Sequence, residues 1–68
     1  MRQNAEFLIL LAQRISEKWE VVLGKRESDG AYVTWKCYEG CDYAWGHYFA
    51  ENQLIDALND FISRCTKI

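Results

Sequence analysis

The chain has 68 residues, eight of them basic and ten acidic, it is half hydrophobic, and it contains no proline. This composition excludes a multidomain enzyme, because the chain is too short for several cores. It also excludes a disordered regulator, since disorder requires low hydrophobicity and high net charge. A net charge of −2 argues against a partner that is bound mainly through its phosphates.

The aromatic content favours one small domain that spans residues 1–68. Three Trp, four Tyr and three Phe supply large buried areas for so short a chain. The longest apolar run covers residues 7–12, far short of the roughly 20 residues that a membrane span needs. With no leader peptide in sight, we expect a cytoplasmic protein that contacts no membrane and whose three cysteines stay reduced.

The first predicted element is an α-helix over residues 4–18, with Asn4 as its N-cap. Its apolar residues recur at helical spacing. They are Phe7, Leu8, Leu11, Ala12, Ile15 and Trp19. Ile9 and Leu10 lie outside this stripe, which leaves them either covered by the sheet edge or free to contact a partner.

Three strands are predicted next, over residues 20–27, 31–38 and 42–49. Asp29-Gly30 is typical of a two-residue hairpin loop and would place Lys25 opposite Thr34 and Leu23 opposite Lys36. The second turn, at residues 39–41, leaves the third strand ambiguous. A three-residue loop, which we prefer, places Tyr43, Trp45 and His47 on the face of Trp35, whereas an even loop places Ala44, Gly46 and Tyr48 there.

The last element is an α-helix over residues 51–65, where seven apolar residues form one stripe. They are Leu54, Ile55, Ala57, Leu58, Phe61, Ile62 and Cys65. Short connections predict that the strands pair in sequence order. The predicted fold class is therefore α+β: a two-layer α-β-β-β-α domain, with a three-stranded antiparallel meander and both helices packed on one face.

This element order resembles that of double-stranded-RNA-binding domains. The resemblance implies a similar topology but not the activity. That family carries a basic cluster at the start of its second helix, where this chain has the acidic segment 50–56. We therefore expect no binding to double-stranded RNA.

Two helices on one face would leave the other face of the sheet open to a partner. The helices are expected to cover Val22, Val33, Trp35 and Cys37. The open face would show Tyr residues among aliphatic and basic side chains, a composition typical of interfaces. The predicted partner-binding residues are Leu23, Tyr32, Lys36, Tyr38 and Tyr48, together with Ile9 and Leu10 on the first helix. The alternative is that these aromatic side chains only stabilise cross-strand pairs.

The cysteines and the single histidine are the only candidates for a soft-metal site. Cys37, Cys41, His47 and Cys65 have spacings that zinc tolerates, but no Cys-x2-Cys pair is present. Cys37 and Cys65 are equally well explained as small buried hydrophobic residues. We expect no metal, no other cofactor and no catalytic residues, because no nucleophile–base constellation can be identified.

The function that the sequence favours is a non-catalytic protein-interaction module, with either a different protein or a second copy as the partner. The alternative is single-stranded nucleic-acid binding, with bases stacked on the Tyr-rich face. A small zinc-binding domain is a lesser alternative. No small-molecule substrate is indicated.

Overall fold

The computed structural model describes residues 2–66. Within that range it contains five β-strands followed by one α-helix. The elements are β1 (Gln3–Asn4), β2 (Phe7–Arg14), β3 (Trp19–Arg26), β4 (Tyr32–Tyr38), β5 (Asp42–Phe49) and α1 (Leu54–Thr66). Strands β3, β4 and β5 and the C-terminal helix confirm the elements predicted over this part of the chain, with small boundary shifts.

The predicted first helix is wrong, because residues 4–18 form β1, β2 and the turn into β3. All five strands lie in one sheet in sequence order, and each neighbouring pair is antiparallel. The fold is therefore a five-stranded sheet with a single helix, and the predicted three-stranded meander with two helices on one face is wrong. The resemblance to double-stranded-RNA-binding domains is lost as well, because it depended on the predicted first helix.

The β3–β4 hairpin has a longer loop than predicted. Lys25 pairs with Tyr32 and Leu23 with Thr34, so the register differs by two residues from the prediction. The loop covers residues 27–30, since the Arg26 amide donates to the Ala31 carbonyl. A shift of two preserves which side chains share a face, because side chains alternate with a period of two.

The β4–β5 hairpin has the preferred three-residue loop, since Tyr38 pairs with Asp42. Tyr43 accordingly lies on the face of Cys37. A β-bulge then interrupts the ladder between the pairs Lys36–Ala44 and Thr34–His47. One extra residue reverses the alternation, which places His47 on the face opposite Tyr43.

The sheet curls into a half-barrel and closes one of its faces by itself. The rings of Phe7 on β2 and Tyr48 on β5 lie 6.1 Å apart. Three strand spacings in a flat sheet would separate these strands by roughly 14 Å. Arg2 spans the same gap, because its Nε donates to the Tyr43 hydroxyl at 2.8 Å. We call this side the concave face. Its buried residues are Phe7, Val22, Val33, Trp35 and Cys37.

Helix α1 covers the other side, which we call the helix face. Leu23 and Tyr32 are buried there with Ala57 of the helix, and Phe61 packs against them. The predicted assignment of the two sheet faces is therefore reversed. The residues around Trp35, which were predicted to lie beneath the helices, fill the curled interior. The face that was predicted to be open lies beneath α1. Curling and a fifth strand cover the concave face without a second helix.

No helix in residues 2–66 is long and apolar enough to cross a membrane; α1 has 13 residues.

Candidate functional site

The structure separates the predicted partner-binding residues into four environments. Tyr32 is only 7% exposed and Leu23 1%, so neither can meet a partner in this fold. Tyr48 is exposed on the concave side, where its ring is close to Phe7. Ile9 packs against the concave core. The single open tyrosine face that the sequence predicted does not exist, because α1 lies on it.

Leu10 is 49% exposed on β2. Lys36 and Tyr38 lie on the helix face at the end of β4, where both are half-buried.

Lys36 and Tyr38 belong to a cluster with two tryptophans that the sequence analysis missed. Trp19 pairs with Tyr38 across the β3–β4 ladder, and their ring centroids lie 4.9 Å apart. Trp45 lies over Trp19, with centroids 5.6 Å apart and planes tilted by 31°. The Lys36 ammonium is 5.6 Å from each of the two indole centroids, within cation–π range. We call Trp19, Lys36, Tyr38 and Trp45 the aromatic patch.

Trp45 is held in an unusual backbone conformation. It lies in the bulge of β5 with φ at +52°, a left-handed value that costs a bulky residue energy. Its carbonyl accepts a hydrogen bond of 2.6 Å from Arg64 Nη2 of α1. The side chain is nevertheless 62% exposed. The fold therefore maintains backbone strain at a residue whose ring is mostly in water.

A polar network beside the patch connects α1 to the sheet. Arg64 Nη1 donates to both the carbonyl and the hydroxyl of Thr34, each at 3.0 Å. The buried Thr34 hydroxyl in turn donates to Asp60, and His47 Nδ1 lies 3.0 Å from the same carboxylate. Every buried side-chain polar atom in the described residues has a partner, so this network is satisfied.

Burial has opposite consequences for the two charged groups of the network. It acts to raise the pKa of Asp60, but the hydrogen bonds from Thr34 and His47 outweigh it, and that pKa lies below its ordinary value. Burial lowers the pKa of Arg64, although the Asp60 carboxylate opposes this. Asp60 is thus an anion at neutral pH, and Arg64 keeps its charge because an arginine titrates far above that range.

A cleft of about 250 Å³ opens between the aromatic patch and α1. It is lined by Lys36, His47, Asp60, Ser63 and Arg64. Two permanent cations face one carboxylate that is already hydrogen-bonded to Thr34 and His47. The cleft is therefore more cationic than a chain with a net charge of −2 would suggest.

The four candidate metal ligands are not brought together. Cys37 lies on the concave face, whereas His47 and Cys65 lie on the helix side of the sheet and on α1. Cys41 is in the β4–β5 turn, with its thiol toward the Tyr38 carbonyl. Among residues 2–66, no three His, Cys, Asp or Glu side chains are grouped for a metal ion.

Neither the Cys37 thiol on the concave face nor the Cys65 thiol on α1 is activated as a nucleophile. Burial raises the pKa of Cys37, which the nearby Arg2 only partly offsets. Burial also raises the pKa of Cys65. Both groups are thiols at neutral pH, and the thiol is the unreactive form.

Trp19 and Trp45 could be found from the sequence only in part. Gly46 within a strand pattern is a recognised sign of a bulge, and a bulge there would have moved Trp45 and His47 off the face of Tyr43. Trp19 could not be placed, because it was assigned to the end of a helix. Its true neighbours depend on the β3–β4 register.

No known protein family, no curated protein and no solved structure matches this chain. Its function is therefore argued from the geometry.

Proposed function

We propose that this chain is a non-catalytic protein-interaction module that binds a segment of a partner protein at the aromatic patch. The observation that carries the proposal is Trp45, whose ring is 62% exposed while its backbone is held at φ +52°. Strained residues concentrate at functional sites, because the surrounding structure must maintain them at a cost of about 1–3 kcal/mol. Tryptophan is also the residue type most enriched among interface hot spots.

The surroundings of Trp45 define the chemistry of the partner. The outer indole face offers apolar contact area, and the adjoining cleft presents Lys36 and Arg64. A partner segment that places an apolar side chain next to an acidic one would match both parts. The proposal includes a cytoplasmic location, because free thiols such as those of this chain persist in that compartment.

Trp45→Asn tests the proposal, because asparagine tolerates the left-handed conformation and removes only the ring. Tyr48→Asn is the matched control: Tyr48 lies on the same strand, is 64% exposed, and faces the concave side. Proteins captured by the wild type would be identified, and the affinity of each variant for the purified partner measured by calorimetry.

We expect Trp45→Asn to weaken binding by about 30-fold or more, the loss of a hot-spot residue. Tyr48→Asn should bind as the wild type does. Equal affinity for Trp45→Asn and the wild type would remove the basis of the proposal.

Single-stranded nucleic-acid binding is a second candidate, favoured by the position of Lys36 between two indole rings. Bases stack on exposed aromatic rings while cations follow the backbone. The net charge of −2 opposes this function, which is why we rank it second. Titration of the protein with an oligothymidine at low salt, monitored by tryptophan fluorescence, distinguishes the two candidate functions. Binding that Trp45→Asn abolishes would favour nucleic acid over a protein partner, and no fluorescence change would exclude it.

A further inference from the structure

We infer that the cleft beside the aromatic patch binds a phosphate group, carried by a phosphorylated side chain of the partner segment. The inference deepens the proposed function and rests on it for a protein as the source of the phosphate. The two depend on different side chains. The proposed function depends on the exposed ring of Trp45, and this inference depends on the polar groups that line the cleft.

The Lys36 ammonium is a positive charge that the fold positions without pairing it to an anion. The side chain is half-buried, lines the cleft, and places its ammonium 5.6 Å from the ring centroids of both Trp19 and Trp45. No carboxylate among residues 2–66 lies within ion-pair distance of it. A partly desolvated cation of this kind gains most from an anionic ligand, because its lost hydration is then replaced.

Arg64 supplies a second fixed positive charge with donors to spare. Three of its five N–H groups donate to the Thr34 carbonyl, the Thr34 hydroxyl and the Trp45 carbonyl. All three acceptors are neutral, and two N–H groups are left for a ligand. The three bonds also fix the guanidinium in place, so a ligand loses little affinity to the ordering of this side chain.

The Asp60 carboxylate in the same cleft is directed at other partners. It accepts from the Thr34 hydroxyl, and both of its oxygens lie within 3.2 Å of His47 Nδ1. This contact leaves Nε2 of the exposed imidazole for a ligand, and Nε2 donates when the ring is protonated. The protonated ring and the carboxylate then cancel each other's charge, and Lys36 and Arg64 give the cleft its net charge.

The charge and the arrangement of donors match a phosphate monoester better than a carboxylate. A phosphorylated side chain carries about −1.5 to −2 charges at neutral pH, which two fixed cations balance, whereas a carboxylate leaves one cation unmatched. The donors come from three elements: Lys36 on β4, His47 on β5, and Ser63 with Arg64 on α1. Donors from several directions suit three tetrahedral phosphate oxygens rather than the two coplanar oxygens of a carboxylate.

The surroundings of the cleft favour a single phosphate over a nucleic-acid backbone. Single-stranded nucleic acids require a cationic groove that follows several phosphates. On the other side of the aromatic patch, a second cleft beside Trp19 holds three carboxylates against two basic side chains. Those carboxylates belong to Glu17, Glu20 and Glu39. They would repel the next phosphate of a chain, so the cationic region ends after one phosphate.

Titration of the isotope-labelled full chain with phenyl phosphate, monitored by nuclear magnetic resonance, tests this inference. Phenyl phosphate carries a phosphate on an apolar ring, and phenylacetate carries a carboxylate on a similar ring. We expect phenyl phosphate to shift the signals of Lys36, His47 and Arg64. It should bind about 10-fold or more tightly than phenylacetate, since a lost charge-assisted hydrogen bond costs about that much affinity.

Lys36→Gln and Lys25→Gln form a matched pair of variants. Lys25 is also half-buried on the helix face and lies 5.6 Å from an aromatic centroid, that of Tyr32, but it does not line the cleft. Lys36→Gln should weaken the binding of phenyl phosphate by about 10-fold, and Lys25→Gln should bind as the wild type does. Ser63→Asp adds a carboxylate at an exposed position of the cleft and should abolish binding, with an unchanged circular dichroism spectrum.

Three results of the titration would overturn the inference. These are cleft signals that do not shift at tens of millimolar phenyl phosphate, equal affinities for phenyl phosphate and phenylacetate, and equal losses in Lys36→Gln and Lys25→Gln. An oligothymidine that shifts the same signals and binds more tightly than phenyl phosphate would also overturn it, because the cleft would then belong to a nucleic-acid site.

Phosphatase treatment of the captured partner separates this inference from the proposed function. The treated partner should bind the wild type as weakly as the untreated partner binds Lys36→Gln. A partner whose affinity depends on Trp45 but not on phosphatase treatment would contradict this inference alone. Phenyl phosphate binding that requires Lys36, together with full partner affinity in Trp45→Asn, would contradict the proposed function alone.

Discussion

At the scale of single residues, Thr34 and Arg64 decide how the helix face is organised. Thr34 is completely buried between the sheet and α1, where an unpaired hydroxyl would cost about 1–3 kcal/mol. Its hydroxyl accepts from Arg64 and donates to Asp60. The same guanidinium holds the carbonyl of Trp45, so the network that satisfies a buried polar group also fixes the exposed indole.

The Asp60 carboxylate should make the stability of this protein pH-dependent. Its pKa in the folded state lies below the ordinary value of 3.8. A carboxyl with a lowered pKa stabilises the fold fully above its unfolded pKa, and the stabilisation is lost as the pH falls through the folded pKa. We expect Asp60→Asn to lower the free energy of unfolding by about 1 kcal/mol at neutral pH, with the difference vanishing well below pH 4.

Urea unfolding of the wild type and Asp60→Asn across this pH range measures the difference. Asp56→Asn, an exposed carboxylate on the same helix, controls for the lost charge. A difference that persisted unchanged into acid would show that the carboxylate form of Asp60 does not stabilise the fold.

At the scale of elements, the N-terminal segment shows why helix and strand can be confused. Residues 7–12 form a short continuous apolar run, which periodicity alone cannot assign to either structure. The bulge at Leu10 shifts the β2–β3 register and interrupts the two-residue alternation that would have identified a strand. With that alternation interrupted, the apolar residues of this segment matched helical spacing better than strand spacing. Strands β3, β4 and β5 were predicted correctly because turn residues separate them.

The β1–β2 turn carries strain that the sequence does not relieve. Ala5 and Glu6 form the two-residue connection, with φ at +48° and +70°. Turns with positive φ at both positions favour Asn-Gly strongly. We expect the double variant Ala5→Asn/Glu6→Gly to raise the free energy of unfolding by about 1–2 kcal/mol, measured by urea unfolding.

Asn52→Gly is the control for that variant, since Asn52 is exposed and its φ is not positive. It should not stabilise the protein. Destabilisation by the double variant would be inconsistent with the hairpin and would favour a helical N-terminal segment.

At the scale of the whole molecule, the curl of the sheet replaces the second helix that the sequence predicted. Phe7 contacts Trp35 edge-on at 5.4 Å and reaches Tyr48 on the last strand. Arg2 forms an ion pair with Glu20 and bonds to Tyr43 on the same side. Arg2 and Phe7, near the start of the chain, thus close the concave face together with the last strand, although they are far from it in sequence.

Phe7→Ala should therefore destabilise the protein by about 3 kcal/mol or more, because it leaves a cavity inside the curl. Leu8→Ala, at the neighbouring half-buried residue, should cost clearly less. Thermal unfolding of both variants checks this. In the predicted helix both residues belonged to the apolar stripe, so equal losses would support that helix over the strand.

The sequence by itself determined the features that depend on neighbouring residues: three of the strands, the C-terminal helix, and the sets of side chains that share a face in β3 and β4. Period-two alternation and turn chemistry are local, and a two-residue error in register leaves them intact. Only the tertiary structure decided which face α1 covers, that the N-terminal segment joins the sheet, and that Trp19 meets Trp45. Those outcomes depend on bulges at Leu10 and Trp45 and on contacts between distant strands, which local spacing does not encode.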